Sequence, residues 1–469
     1  MIPIKAGELA RECDARMTSG LTENAVFDAV STDSRTVPPG AIFVALPGDK
    51  YDGRAHIEEA IDRGAMGIVA VPDDKYPFIK RIPEDYFHIT LIEVDDALRA
   101  YQAIAKAVRR RFLGTVIAVT GSTGKTTTKE MIAAILSSRG KTFASPENEN
   151  NEIGLPTAIL KVDEDTQFLV LEMGMRGTGQ IAELVKIARP HVGVITNVGV
   201  THYELLGSEQ GIAEAKAELG EGLTAKGTLI INADDKWSGL MKEKTRARVV
   251  TFGMNEADVT ANGIRLDEDA RASFTVRAAL TGEKISFPVA LAIPGEHNIG
   301  NALAAAATGL LLGVEPVAIA AGLSAVASPA SRLEVIRSRR GYTVINDSYN
   351  ASPASMEAAI KTLADTKGDR RVAILGDMLE LGEVSAVAHE AVGRLCAGSE
   401  VDFLYAIGER AKGIAEAAVE AGMPAENVAI VGTVESACDR IGKELQPGDA
   451  ILVKASRALG FERIVACIK

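Results

Sequence analysis

Cysteine is scarce in this protein. Only four cysteines occur in 469 residues, at positions 13, 396, 438 and 467, and no two of them are spaced as Cys-x-x-Cys. This scarcity excludes a disulfide framework and a zinc site built from cysteines, and it favours a reducing compartment. We therefore expect a cytoplasmic protein.

Long hydrophobic runs are also missing. No stretch of about 18 apolar residues occurs, and the longest candidate, residues 302–312, is rich in alanine and interrupted by Thr308 and Gly309. This segment predicts a buried helix rather than a membrane span. The first residues become charged too early for the apolar core of a signal peptide.

Positive charge is in deficit. Lys and Arg number 51 against 63 Asp and Glu, which gives a net charge of −12. This balance excludes general binding to nucleic acid but leaves room for an anionic small substrate, which a few placed cations can hold. A hydrophobic fraction of 47% and a charged fraction of 24% are typical of a folded globular chain.

The order of apolar runs and turns predicts an α/β protein of three domains. Residues 1–98 suggest a small N-terminal α/β domain, residues 99–328 a central P-loop ATPase-type domain with a parallel sheet, and residues 329–469 a Rossmann-like, doubly wound domain. Residues 256–288 alternate and predict a small antiparallel addition. Continuous apolar runs predict buried parallel strands at residues 116–119, 168–171, 192–195 and 229–231, and then at 342–345, 372–375, 403–407, 428–431 and 451–453.

The clearest motif is a glycine loop between a strand and a helix. Residues 120–127 read Thr-Gly-Ser-Thr-Gly-Lys-Thr-Thr, a shortened Walker sequence in which Val119 stands where the full spacing has glycine. Glycines allow backbone N–H groups to converge on phosphate, Lys125 adds a charge, and the Thr126 hydroxyl can bind Mg²⁺. The alternative is an ordinary tight turn with a solvated lysine.

Three further residues are candidates on position alone. Glu172 directly follows a predicted strand, where a carboxylate can bind the metal of a P-loop, although a glutamate that stabilises a helix start would look the same. His202 follows another strand and could be a ligand or a structural histidine. Lys216 would by itself be a solvated helix lysine. Polar residues at 232–235 and 295–301 fit either ribose or base recognition or helix capping.

Taken together, these segments resemble the Mur ligase family, the ATP-dependent amide-forming enzymes of peptidoglycan synthesis. The resemblance covers nearly the whole chain and is closest to members that add D-alanyl-D-alanine to UDP-N-acetylmuramoyl-tripeptide. The motifs that carry it lie at residues 31–35, 43–48, 148–154, 172–174, 346–350, 375–382 and 454–457.

The resemblance implies roles that spacing alone does not give. It implies a catalytic group formed by Lys125, Glu172, His202 and Lys216, and two Mg²⁺ sites formed by Thr126, Glu172, His202 and a carbamylated Lys216. It implies ATP binding by Thr120, Gly121, Ser122, Thr123, Gly124, Lys125, Thr126, Thr127, His297, Asn298, Arg332 and Asp347. It implies substrate binding by Ser31, Asp33, Ser34, Arg35, Asn150, Asn151, Glu152, Asn350, Lys454 and Arg457.

The implied reaction is an ATP-driven condensation through an acyl phosphate, with two small-molecule substrates, ATP and Mg²⁺, in a monomer that binds no nucleic acid. Thr123, Thr201, Ser352 and Ala455 depart from the usual family residues, but none of them removes a charged group. Two alternatives remain open. One is a ligase of the same chemistry with another substrate, such as a folylpolyglutamate synthase-like enzyme, and the other is a nucleotide-dependent binding module without catalysis.

Overall fold

The computed structural model describes residues 1–19, 23–76, 88–201, 203–280, 282 and 284–469. The chain divides into two compact units. The first consists of Met1–Ala118, Gly140–Gly174 and Gln180–His191, and the second of Val119–Arg139, Met175–Gly179 and Val192–Lys469.

The N-terminal part of the first unit is a small α/β structure. Strands β4, β5, β6 and β7 pair in parallel in that order, β2 pairs antiparallel with β7, and β1 pairs with β3. The buried side chains of Phe43, Ile57 and Ile68 lie in its core. The strands are β1 (Ile4–Lys5), β2 (Arg16–Ser19), β3 (Val26–Phe27), β4 (Val30–Ser31), β5 (Ile42–Val44), β6 (Gly67–Ala70) and β7 (Thr90–Glu93), and the helices are α1 (Ala6–Glu12), α2 (Ile57–Asp62) and α3 (Ala97–Arg111).

The middle of the chain alternates strands and helices, as the apolar runs predict. Strand β10 pairs in parallel with β9 in the first unit, and β11, β12 and β13 pair in parallel in the second. The elements are β8 (Thr115–Thr120), α4 (Lys125–Leu136), β9 (Thr142–Ala144), α5 (Gly154–Leu160), β10 (Phe168–Glu172), α6 (Gln180–Ala188), β11 (Val192–Ile195), α7 (Tyr203–Leu206), α8 (Glu209–Glu221), β12 (Thr228–Asn232), α9 (Ser238–Glu243) and β13 (Arg248–Gly253).

The predicted antiparallel addition follows in the second unit. Strand β14 (Val259–Leu266) pairs antiparallel with β15 (Arg271–Ala278), which pairs antiparallel with β16 (Ile285–Pro294). Two helices come next, α10 (Asn298–Leu311) and α11 (Pro316–Ala325). The alanine-rich run is buried in α10, as expected, and a Cβ added at its Gly309 would lie 2.8 Å from Ile135 of α4. This close approach explains why a glycine stands there.

The C-terminal sheet is doubly wound. Its order is β17-β18-β22-β19-β20-β21, and all pairs are parallel except β17 with β18. Separate apolar clusters cover its two faces, one around Ile360 and Leu404 and the other around Ile451 and Phe461. Its elements are β17 (Glu334–Arg337), β18 (Thr343–Asn346), α12 (Pro353–Asp365), β19 (Arg370–Gly376), α13 (Ser385–Gly398), β20 (Phe403–Ile407), α14 (Lys412–Glu420), β21 (Val428–Val431), α15 (Val434–Glu444), β22 (Asp449–Lys454) and α16 (Glu462–Ile468).

Short polar side chains fix several helix starts. Asp96 accepts a hydrogen bond from the backbone of α3, Ser208 from that of α8 and Thr433 from that of α15. In the part of the chain that the structure describes, no helix is both long enough and apolar enough to span a membrane.

Candidate active site

The glycine loop lies between β8 and α4, where the sequence predicts it. Gly121 has φ +149° and Gly124 has φ +75°, and Gly124 is the N-cap of α4. A Cβ at Gly121 would lie 1.8 Å from the Thr196 hydroxyl, and one at Gly124 would lie 2.2 Å from Oδ1 of Asn301. Both positions therefore require glycine, and the resulting turn presents backbone N–H groups at a helix N-terminus, which is a site for anions.

Side chains of the loop are held close to its backbone. The ammonium group of Lys125 donates to the carbonyls of Gly121 at 2.8 Å and Ser122 at 3.3 Å. Thr126, in the first turn of α4, is buried, whereas Lys125 and Thr127 are half-buried. Lys125 thus lies over the loop, where a phosphate would meet it.

The chain after β11 supports the loop from the side. Thr196 donates to the carbonyl of Thr123 at 2.6 Å, and Oδ1 of Asn197 accepts from the backbone N–H of Thr123 at 3.0 Å. Ser122 donates to the carbonyl of Gly199 at 2.9 Å. Sequence reasoning did not select Thr196 or Asn197, because their partners lie more than 70 residues away.

Lys216 lies on α8 and is 2% exposed. Burial, and then the positive charge of Lys125, lowers the pKa of Lys216 well below its ordinary value. An amine in this environment is favoured in its neutral form, which is the form that adds to carbon dioxide. The surroundings therefore differ from those of the solvated helix lysine that the local sequence alone would suggest.

Glu172 and Asn150 lie together in the first unit. Glu172, at the end of β10, is 4% exposed, and its Oε1 accepts from Nδ2 of Asn150 at 2.8 Å. Oδ1 of Asn151 accepts from the backbone of Gly154 at 2.8 Å, so this side chain caps α5. Glu152 is exposed and its carbonyl accepts from the side chain of Gln102. Of the predicted residues here, Asn150 is the one that contacts the carboxylate.

The start of α10 is linked to α4 by a chain of amides. Asn298 donates to the carbonyl of Pro294 at 2.7 Å and accepts from Asn301 at 2.8 Å, and Oδ1 of Asn301 accepts from Thr128 at 3.2 Å. His297 is exposed at the N-cap of α10. The buried Asn298 side chain therefore fixes the helix start.

A buried ion pair lies at the end of the C-terminal sheet. Lys454, which is 2% exposed, pairs with Asp347 and donates to the carbonyl of Asn350 at 2.9 Å. Asp347 also accepts from the backbone N–H of Leu333 at 3.2 Å. Burial raises the pKa of Asp347, and Lys454 opposes that shift. The pair joins three segments that are far apart in sequence.

Two arginines lie against one aromatic ring beside this pair. The guanidinium carbon of Arg332 is 3.7 Å from the ring centroid of Tyr349, and that of Arg457 is 5.1 Å from it. Lys454 and these arginines bring three positive charges against the carboxylates of Asp347 and Glu334, and Glu334 accepts from Asn346 at 2.9 Å, so the cluster suits an anionic ligand. Sequence reasoning missed Tyr349, although it lies within a motif between Asp347 and Asn350.

The N-terminal candidates form one tight turn. Asp33 accepts two hydrogen bonds from the guanidinium of Arg35, and this interaction lowers its pKa to about 2. Ser31 donates to the carbonyl of Asp33 at 3.0 Å, and Ser34 donates to Glu59 at 2.8 Å. These four residues lie in the first unit, and each already has a partner within it.

Three family models match this sequence. They are the Mur ligase family catalytic domain over residues 26–109, the Mur ligase middle domain over 119–309 and the Mur ligase glutamate ligase domain over 331–457. The UDP-N-acetylmuramoyl-tripeptide–D-alanyl-D-alanine ligase of Bacillus subtilis is 35% identical over 444 residues, 94% of this chain and 93% of that protein. The chain belongs to the Mur ligase family.

Solved structures agree with the assignment. MurF from Acinetobacter baumannii matches with a TM-score of 0.87 and 30% identity, over 99% of this chain and 98% of that one. MurF ligase from Thermotoga maritima in complex with ADP matches with a TM-score of 0.79 and 28% identity, over 94% and 96%. The mixed α/β fold with parallel sheets predicted for this Mur ligase is therefore confirmed.

The second unit of this Mur ligase contains all twelve ATP candidates. A Cβ on Gly199 would lie 3.8 Å from both Ser122 of the glycine loop and Ala354 of α12, and one on Gly295 would lie 2.6 Å from His297 and 2.8 Å from Thr362 of α12. Helix α12 and the glycine loop therefore both lie beside Gly199 within one compact unit. Glu172 and Asn150 belong to the other unit, and His202 lies outside the described residues.

A magnesium site in a protein needs hard oxygen donors. Among the residues that the structure describes, no cluster of three His, Cys, Asp or Glu side chains could hold a metal ion. The buried Thr126 hydroxyl in the second unit and the buried Glu172 carboxylate in the first are each hard oxygen donors, which Mg²⁺ prefers. Because Mg²⁺ commonly completes its shell with water and substrate phosphates, the chemistry of each donor by itself fits a metal bound together with a nucleotide.

Proposed function

We propose that this Mur ligase joins D-alanyl-D-alanine to UDP-N-acetylmuramoyl-tripeptide, driven by ATP and through an acyl phosphate. The observation that carries the proposal is similarity along 94% of the chain to relatives with that name, at 35% identity. We further propose that the enzyme works as a monomer in the cytoplasm, where this class of nucleotide-linked precursor would be made.

The glycine loop is proposed to hold the triphosphate. The β- and γ-phosphates are assigned to the backbone N–H groups of residues 121–124 and to the ammonium of Lys125, which lies over the loop at the start of α4. Support comes from the two glycines, since a Cβ at either would collide with Thr196 or Asn301. We propose that His297 and Asn298 flank the base, that Asp347 contacts the ribose and that Arg332 also contacts the nucleotide.

Two Mg²⁺ ions are proposed to bind to Thr126, Glu172 and Lys216, the last of these as a carbamate. His202 is proposed as a further ligand. Bound magnesium supplies neutralisation of phosphate charge and polarisation of the transferred group. The low pKa of Lys216 supports carbamylation, because it favours the neutral amine.

The tripeptide carboxylate is a poor electrophile and must be activated. Its oxygen attacks the γ-phosphorus, ADP leaves, and the acid becomes an acyl phosphate. The free amine of D-alanyl-D-alanine then attacks the carbonyl carbon, and the tetrahedral intermediate expels phosphate and loses a proton to give the amide. Lys125 stabilises the charge that develops on the transferred group, which is where electrostatic catalysis is strongest.

The remaining candidates are proposed to bind the two peptide substrates. Asn150, Asn151 and Glu152, together with the turn formed by Ser31, Asp33, Ser34 and Arg35, are assigned to the uridine nucleotide substrate. Asn350, Lys454 and Arg457 are assigned to the dipeptide. The cationic character of the Lys454 and Arg457 region supports the second assignment, since the dipeptide ends in a carboxylate.

The test is product formation from purified components. ATP, Mg²⁺, D-alanyl-D-alanine and the tripeptide precursor, supplied with diaminopimelate or with lysine as its third residue, should give ADP, phosphate and the pentapeptide by mass spectrometry. Omission of the dipeptide, or its replacement by D-alanine, should abolish the product, and folate should not replace the tripeptide precursor.

Two lysine variants sharpen this test. Lys125→Ala should lower kcat about 10²- to 10³-fold, as removal of a stabilising donor does elsewhere. Lys186→Ala removes an exposed lysine whose ion pair is with Glu183 on α6, and it should leave turnover unchanged. Pentapeptide formation that survives Lys125→Ala undiminished would contradict the proposed role of the loop.

A further inference from the structure

The backbone around Arg332 is held in an unfavourable conformation. Ser331 has φ +59° and Leu333 has φ +51°, so residues in the left-handed region flank Arg332 on both sides. Such conformations persist only where the surroundings determine them, and they concentrate at functional sites. Here the backbone N–H of Tyr349 donates to the carbonyl of Ser331 at 3.0 Å, and that of Leu333 donates to Asp347 at 3.2 Å. The loop after β18 therefore fixes the direction in which Arg332 leaves the chain.

The side chain of Arg332 stacks on a ring, and its positive charge also acts on the nearby Asp347 carboxylate, whose pKa it lowers. Its guanidinium carbon lies 3.7 Å from the ring centroid of Tyr349, which is the distance of a stacked contact. Its Nε is buried and has no hydrogen-bond partner among the residues that the structure describes. Arg457 approaches the same ring, at 5.1 Å. The ring of Tyr349 is therefore a contact that the two guanidinium groups share.

An aromatic ring has an advantage over an acidic partner at such a place. A carboxylate would orient Arg332 but would also neutralise it and compete with an anionic ligand for its N–H groups. A ring face orients the guanidinium and leaves its charge and its planar set of donors available. This arrangement suits arginines that are already oriented before a phosphate binds.

We propose that Tyr349 is a positioning residue that acts through Arg332 on ATP, and that its ring, not its hydroxyl, does so. The proposal rests on the proposed function in one respect, namely that Arg332 contacts the nucleotide. Stacking holds Arg332 where it meets the triphosphate, so loss of the ring weakens ATP binding without removing any group that touches ATP.

Three substitutions test this. Tyr349→Phe keeps the ring, Tyr349→Leu removes it, and Arg332→Met removes its partner. The matched control is Phe403→Leu, because Phe403 also lies under an arginine, with the Arg370 guanidinium carbon 4.8 Å from its ring, but in a part of the C-terminal sheet to which no role is assigned. ATP affinity is measured by calorimetry, kcat and KM for ATP by phosphate release, and folding by thermal melting.

Tyr349→Leu should weaken ATP binding and raise KM for ATP about tenfold, a loss in the range of a desolvated cation–π contact. Tyr349→Phe and Phe403→Leu should stay within about twofold of the wild type. In the Arg332→Met background, removal of the ring should cost less than about twofold, because its partner is already gone.

Three results would overturn the proposal: unchanged ATP affinity in Tyr349→Leu, an equal loss in Tyr349→Phe, or a loss in Tyr349→Leu that persists undiminished without Arg332. The calorimetric cycle needs no ligase turnover. A wild-type enzyme that fails to make pentapeptide while the cycle shows coupling would refute the proposed function alone, and turnover without coupling would refute the role of Tyr349 alone.

Discussion

The ion pair of Asp347 and Lys454 allows a quantitative prediction. Lys454→Met removes the ammonium group but keeps most of the side-chain volume. The Asp347 side chain is 14% exposed. In this variant its carboxylate keeps the hydrogen bond from the Leu333 backbone N–H. Breaking one half of a buried pair costs about 3–5 kcal/mol when the remaining charge has no other partner, and the positive charge of the nearby Arg332 should bring the cost to the lower end of that range.

The double variant Asp347→Asn/Lys454→Met should recover most of this loss. Replacement of both partners removes the uncompensated charge, so we expect it to lie within about 1–2 kcal/mol of the wild type. Urea denaturation by circular dichroism gives the free energy of unfolding, and hydrogen exchange in β18 and β22 locates the change. Both variants should lose ligase activity, so stability and function separate in the double variant.

The sign of the pH dependence follows from Asp347. Burial already raises its pKa in the folded protein, and loss of Lys454 raises it further. The folded state of Lys454→Met therefore binds a proton more tightly than the unfolded state, and its deficit should shrink as the pH falls toward that raised pKa. A Lys454→Met protein as stable as the wild type, or a double variant no more stable than the single one, would refute this reasoning.

Three further predictions concern other sites. Gly124→Ala should weaken ATP binding at least tenfold by calorimetry, because the added methyl group would overlap the side-chain amide of Asn301 in α10. The control Gly207→Ala also has a positive φ, +69°, but its added Cβ would meet no described atom within 4 Å, so it should bind ATP normally. The imidazole of His389 accepts a hydrogen bond from the Met378 backbone N–H at 2.9 Å, and burial lowers the pKa of His389. The midpoint of urea unfolding should therefore fall as the pH drops below about 6.5, and His389→Asn should remove that pH dependence. Lys216 should give a carbamate signal in ¹³C NMR with labelled bicarbonate, and Lys216→Ala should abolish both the signal and ligase turnover.

Much of the fold could be predicted from short segments of sequence, because strand burial and glycine turns depend on neighbouring residues. Val116 and Val194 lie in continuous apolar runs that only a strand covered on both faces can bury, and both are buried as predicted. The glycine loop was recognisable because Gly121 and Gly124 have no substitute there. Strand β17 was missed because it is a half-buried edge strand of four residues, so its sequence shows little alternation between apolar and polar residues.

The candidate site was less accessible from sequence. Asn197, Asn301 and Tyr349 support the loop or the arginines through contacts with partners 17 to 173 residues away, and no local pattern encodes such contacts. Asn151 was selected as a substrate residue, but its side chain caps α5 in the structure, and its contact with substrate stays a prediction. Capping and binding use the same short polar side chains, so sequence cannot separate them.

The most direct test of the account follows an oxygen atom. If the tripeptide carboxylate attacks the γ-phosphorus of ATP, one of its oxygens must leave with the phosphate when the amide forms. With both oxygens of that carboxylate labelled as ¹⁸O, mass spectrometry should find one label in each released phosphate and one in the new amide carbonyl. Released phosphate that carries no ¹⁸O after complete turnover would contradict activation through an acyl phosphate.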